Sequence, residues 1–138
     1  MTTDPAREAP AASILIVDGD IVSRHVIADY LRHCGYAAVE AANIDEAMTA
    51  LGEPSLSIDV ILCEVTVVGS QSCFELASWV RANRPELEVK LAGGLEMAAQ
   101  TAAELCEDGP HLKRPYEPDA VIDYVKRLRA SRKADPGG

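Results

Sequence analysis

The sequence predicts an α/β protein: a doubly wound, five-stranded parallel sheet with helices on both faces, a three-layer (βα)5 sandwich. The run Ile14-Leu15-Ile16-Val17 is four consecutive apolar residues that end abruptly in Asp18-Gly19-Asp20. A run that short and without alternation suits a strand covered on both faces. Asp59-Val60-Ile61-Leu62-Cys63-Glu64 repeats the design, again with an acid at its carboxyl end. Helical and strand-like stretches then alternate in five units of about 22 to 25 residues, which right-handed crossovers turn into a parallel sheet. Acids at the carboxyl ends of such strands lie where these sheets bind ligands.

Each element has a local reason. After Asp20, the apolar positions Ile21, Val26, Ile27, Tyr30 and Leu31 recur at helical spacing, and Gly35 supplies the stop. Ala37 to Ala41 reads as a short strand. Asn43-Ile44-Asp45-Glu46 offers an N-cap with an acid three residues on, opening a helix through Ala47, Met48 and Leu51 that Gly52 ends. Following the strand at Asp59–Glu64, a helix carries Phe74, Leu76, Ala77, Trp79 and Val80 up to Pro85. Leu87 to Ala92 is a fourth strand and Leu95 to Cys106 an Ala-rich helix. His111 to Lys113 is the expected fifth strand, and Val121, Ile122, Val125 and Leu128 stripe the last helix. Residues 1–12 and 131–138 read as flexible tails around one domain at 13–130.

Composition narrows the function. The chain has 138 residues, 48% hydrophobic content and a mean hydropathy of −0.01, which fits one ordinary globular domain. A formal charge of −9 repels a phosphate backbone, so nucleic acid is not an expected partner. Nothing in the sequence approaches the roughly 18 to 20 apolar residues of a membrane span. The four cysteines, Cys34, Cys63, Cys73 and Cys106, form no Cys-x-x-Cys pair and read as free thiols of a reducing cytoplasm.

The Ile-Leu-Ile-Val-Asp start, the Asp-Val-Ile-Leu-x-acid strand, the Phe-Glu-Leu helix and the Leu112-Lys113-Arg114-Pro115-Tyr116 strand end together resemble the CheY-like receiver domain of two-component response regulators, over residues 13 to 130. The resemblance implies a Mg²⁺ site made by a first-strand acidic pair and a third-strand Asp. That Asp accepts a phosphoryl group from a histidine kinase. A Thr or Ser hydroxyl and a Lys grip the phosphate, and an aromatic residue reorients. A carboxylate accepts a phosphoryl group only where cations offset the repulsion between acid and phosphate.

Position by position, this chain departs from the pattern. Asp18 matches the first acid, but Gly19 stands at the second; Asp20 follows, as an acid of the pocket or as the cap of the first helix. Glu64 falls on the acceptor Asp, and its extra methylene moves the carboxylate by about 1.5 Å, enough to break in-line geometry. Gly93 falls on the Thr/Ser position, Arg114 on the Lys and His111 on the switch aromatic. The turn after the acceptor reads Thr66-Val67-Val68-Gly69. Asp18 and Glu64 are therefore weak metal candidates, and Mg²⁺ is expected only if this acidic site functions. Glu64 and Arg114 could pair as a fixed charge; the alternative is a solvated Glu64.

Other features have plain readings beside the functional ones. His25 and His33 read as surface histidines, Gly93-Gly94 as a turn before it is a phosphate cradle, and Trp79 as packing. The basic run Lys126-Arg127-x-Arg129 to Arg132-Lys133 suits either an acidic partner or a helix C-terminus. The expected function is a stand-alone, non-enzymatic, receiver-like pseudo-receiver acting through signalling proteins, such as a histidine kinase or an effector, with a homodimer left open. The alternatives are a receiver with residual Mg²⁺-dependent phosphorylation, or a flavodoxin-like enzyme binding a nucleotide or flavin.

Overall fold

A computed structural model describes residues 12–65, 72–108 and 117–134. In chain order it contains β1 (Ser13–Val17), α1 (Ile21–His33), β2 (Ala37–Ala41), α2 (Ile44–Leu51), β3 (Val60–Glu64), α3 (Cys73–Asn83), β4 (Glu88–Ala92), α4 (Leu95–Asp108) and α5 (Pro118–Ala134). The strands form one parallel sheet in the order β2-β1-β3-β4. Ile14 and Leu15 are fully buried, as are Ile61 and Cys63, so the apolar runs of β1 and β3 occupy the covered centre.

The boundaries follow local chemistry. Asp20 caps α1 by accepting from the Ser23 N–H, and Asn43 caps α2 by accepting from the Glu46 N–H at 2.8 Å. Glu46 returns the bond to the Ala42 N–H at 2.7 Å. At α3, Ser72 and Glu75 form a reciprocal capping box. Gly35 follows α1 at φ 101°, a conformation only glycine adopts cheaply.

Two hydrophobic clusters cover the sheet. Leu15, Val17 and Ile61 pack with α2 and α3 on one face. Ile14, Ile16 and Leu62 pack with α1, α4 and α5 on the other. This placement corrects the expected topology. With α3 on one face and β4 outside β3, a right-handed crossover to a further parallel strand beyond β4 requires α4 on the α3 face. The helix lies on the α1 face instead. The described residues form four strands and five helices, where five β-α units were expected. The expected fifth strand, His111 to Lys113, lies outside the described residues, as do Thr66–Gly69.

Two further expectations change. The cysteines are not free: Cys34 pairs with Cys106 and Cys63 with Cys73, at Cα separations of 5.4 and 6.0 Å. Neither pairing is adjacent in sequence; the fold brings each together by packing α4 on α1 and α3 on β3. Phe74 is 62% exposed, because the buried stripe of α3 runs through Cys73, Leu76 and Val80. The last helix spans Pro118–Ala134. No helix among the described residues is long and apolar enough to cross a membrane.

Candidate site at the carboxyl edge of the sheet

β1 and β3 deliver their terminal acids to the same edge. Asp18 leaves β1 with its N–H bonded to the Ala41 carbonyl at 3.0 Å, which extends the β1–β2 pairing by one step. Its Oδ1 accepts from the Asp20 N–H at 2.9 Å, and the residue is 6% exposed. Burial raises the Asp18 carboxyl above its ordinary value, and the charges of Glu64 and Asp20 push the same way, against the Asp20 N–H and Arg129. Arg24 closes the floor, donating to the Asp18 carbonyl at 3.0 Å and to Glu40 at 3.2 Å.

Asp20 has the capping role expected of it, with an unexpected partner. Its Oδ2 accepts from the Ser23 hydroxyl at 2.6 Å and from the Nε of Arg129 at 3.0 Å, with the Arg129 terminal nitrogen also against it. Burial opposes ionisation, but the Ser23 and Arg129 hydrogen bonds outweigh it and lower the carboxyl to about 2. Arg129 is the residue that sequence reasoning missed. It belongs to the basic end of the last helix, yet it stands four residues after Val125, in line with the buried Val121 and Val125. A cation in register with an apolar stripe was the available signal.

Glu64 ends β3 opposite Ala92 of β4 and is 8% exposed. Its Oε1 accepts from the Gly94 N–H at 3.1 Å, so the side chain bonds to the loop just past the end of β4. Gly94 holds φ 118°, which aims that N–H back at the sheet edge. The expected partner Arg114 and the switch position His111 lie outside the described residues. Gly19 and Gly93 are not required sterically: a Cβ at Gly19 would meet only the Ala42 carbonyl at 3.7 Å, and at Gly93 only Val65 Cγ2 at 3.8 Å. A Cβ is therefore accommodated at either position. His25 and His33 lie on the exposed side of α1, and Trp79 packs against the second cluster.

The donor set does not fit Mg²⁺. That ion needs carboxylates free to complete an octahedron. Here Asp18 accepts a main-chain N–H, Gly19 brings no oxygen on a side chain, and a guanidinium already stands against Asp20. Among the described residues, no three His, Cys, Asp or Glu side chains are grouped to hold a metal ion.

Comparison with known proteins agrees with this architecture. No protein-family model matches the chain. Over 56 residues, 41% of this chain, it is 41% identical to a two-component response regulator-like protein, PRR37, of Oryza sativa subsp. indica, and that stretch spans 8% of the relative's length. Among solved structures, it resembles a CheY-like response regulator receiver domain protein from Methanospirillum hungatei JF-1, with 18% identity, a TM-score of 0.57 and coverage of 91% of this chain and 99% of that one. It also resembles a response regulator receiver protein from Pseudomonas putida, at 22% identity and TM-score 0.56, over 86% of this chain and 98% of that one. A third is the chemotaxis response regulator CheY4 of Vibrio cholerae, at 20% identity and TM-score 0.55, over 86% and 99%. The chain has the CheY-like receiver fold.

Proposed function

We propose that the chain is a receiver-like domain of two-component or phosphorelay signalling that acts in the cytoplasm by binding protein partners and is not itself phosphorylated. One observation carries this reading. At the acceptor position, Glu64 is a buried carboxylate that spends an oxygen on the Gly94 N–H, in a site whose neighbouring acid is held by Arg129. A nucleophilic carboxylate needs an in-line approach and a cation on the incoming phosphoryl group. Here the arm is one methylene too long, and the guanidinium of Arg129 is committed to Asp20. The charges are fixed rather than switchable, so the domain presents one surface to a histidine kinase or an effector, through the face made by the C-terminal elements. It is a binding module rather than an enzyme, and needs no Mg²⁺.

Incubation of the protein with acetyl phosphate and Mg²⁺, followed by intact mass measurement, tests this reading. The expected spectrum shows no added phosphate. A hydroxylamine-labile phosphate mapped to Glu64 would overturn the proposal.

A further inference from the structure

The two disulfides differ in what they join. Cys34–Cys106 links the end of α1 to α4 within the first core cluster, across a sequence separation of 72. Cys63–Cys73 spans a separation of 10 and links the β3 residue directly before Glu64 to the first residue of α3. The short bridge therefore closes the segment on which Glu64 leaves the sheet. The Cys73 Sγ also lies 3.1 Å from the Glu64 carbonyl oxygen. When the bridge is open, a Cys73 thiol has a hydrogen-bond acceptor already in place, so both redox states are accommodated at one position.

We propose that Cys63 and Cys73 form a redox latch on the candidate site. Oxidised, the pair pins the exit of β3 to the start of α3; reduced, it releases that connection, while Cys34–Cys106 remains as the staple of the fold. This inference goes beyond the signalling reading and does not depend on whether Glu64 is phosphorylated.

All four cysteines are fully buried, so selectivity depends on what must open to reach them. Cys73 begins α3, whose first turn is held by two capping bonds of 3.2 Å and includes the exposed Phe74. Fraying of such a turn is among the least costly local openings. Reaching Cys106 requires separating α4 from α1, where Ala102, Ala103 and Leu105 are packed.

The chemistry balances with a low-molecular-weight disulfide as oxidant. The Cys73 thiolate, favoured by its place at the N-terminus of α3, attacks one sulfur of that disulfide and expels a thiolate, which takes up a proton. The Cys63 thiolate then attacks the Cys73 sulfur, forms the internal bridge and expels the second small thiol. Two protein thiols become one disulfide, and two electrons and two protons pass to the reagent. Reduction by a small thiol runs the same steps in reverse.

The test uses the full chain equilibrated over a series of reduced-to-oxidised glutathione ratios, acid-quenched and alkylated, with each cysteine assigned by mass spectrometry. Hydrogen exchange is followed on the same samples. Cys63 and Cys73 should become alkylated together at less reducing ratios than Cys34 and Cys106. Their opening should speed exchange at Glu75 and Leu76 by roughly tenfold or more while amides of α1 stay protected. A double variant, Cys63→Ser with Cys73→Ser, should show the fast pattern at every ratio. The latch is refuted if Cys63 and Cys73 are free at all ratios, if all four cysteines open together, or if exchange at α3 is the same in both states or in the variant.

Discussion

Replacing Arg129 by Met removes the guanidinium from Asp20 while keeping an apolar stem on the face of α5 that carries Val125. The Asp20 carboxyl falls from an ordinary 3.8 to about 2 in the folded protein. Taken whole, that drop would correspond to about 2.4 kcal/mol. Asp20 is 35% and Arg129 41% exposed, so solvent screens the interaction, and the Ser23 bonds share what is left. About 1 kcal/mol falls to Arg129 at neutral pH. Because the folded pKa is depressed, this stability is fully present above the unfolded value of 3.8 and fades as pH falls towards 2. Urea unfolding of the parent and Arg129→Met should therefore differ by about 1 kcal/mol at pH 7, and the difference should shrink as pH falls through the folded value and vanish below it. Equal stability at pH 7, or a difference that persists unchanged at pH 2, would refute the pairing.

Two other outcomes follow from the same geometry. Cys34→Ser removes the cross-link that spans a separation of 72 residues, which by loop-closure entropy should cost about 4 kcal/mol, read by urea unfolding under non-reducing conditions and absent when both proteins are fully reduced. Gly94→Ala forces a Cβ into φ 118° and disturbs the N–H that Glu64 accepts, so it should lower stability by about 1 to 2 kcal/mol, whereas Gly93→Ala, which meets only Val65 at 3.8 Å, should change it by a few tenths at most.

What the sequence made legible was local. The apolar runs of β1 and β3, the caps Asp20 and Asn43, and the Gly35 stop each depend on residues within a few positions of one another, and each appears where its chemistry places it. What it hid was distant. Arg129 reaches an acid 109 residues away, and Cys106 a cysteine 72 residues away. Periodicity shows that α4 has an apolar face, but not which side of the sheet that face covers. That choice decides the disulfide to Cys34 and the approach of α5 to Asp20. At the site, Gly19, Glu64 and Gly93 were readable as departures from the receiver pattern. The bond between Glu64 and the Gly94 N–H was not, because a main-chain donor leaves no side-chain signature.

The central claim is that the carboxyl edge of the sheet is fixed rather than switchable. Beryllofluoride with Mg²⁺ mimics a phosphoryl group on a competent acceptor carboxylate, and backbone amide NMR reports its effect residue by residue. The amides of Asp18, Asp20, Glu64 and Gly94 should keep their positions when both are added. Saturable shifts at Glu64 and Gly94 would contradict the claim and make this a working phosphoacceptor.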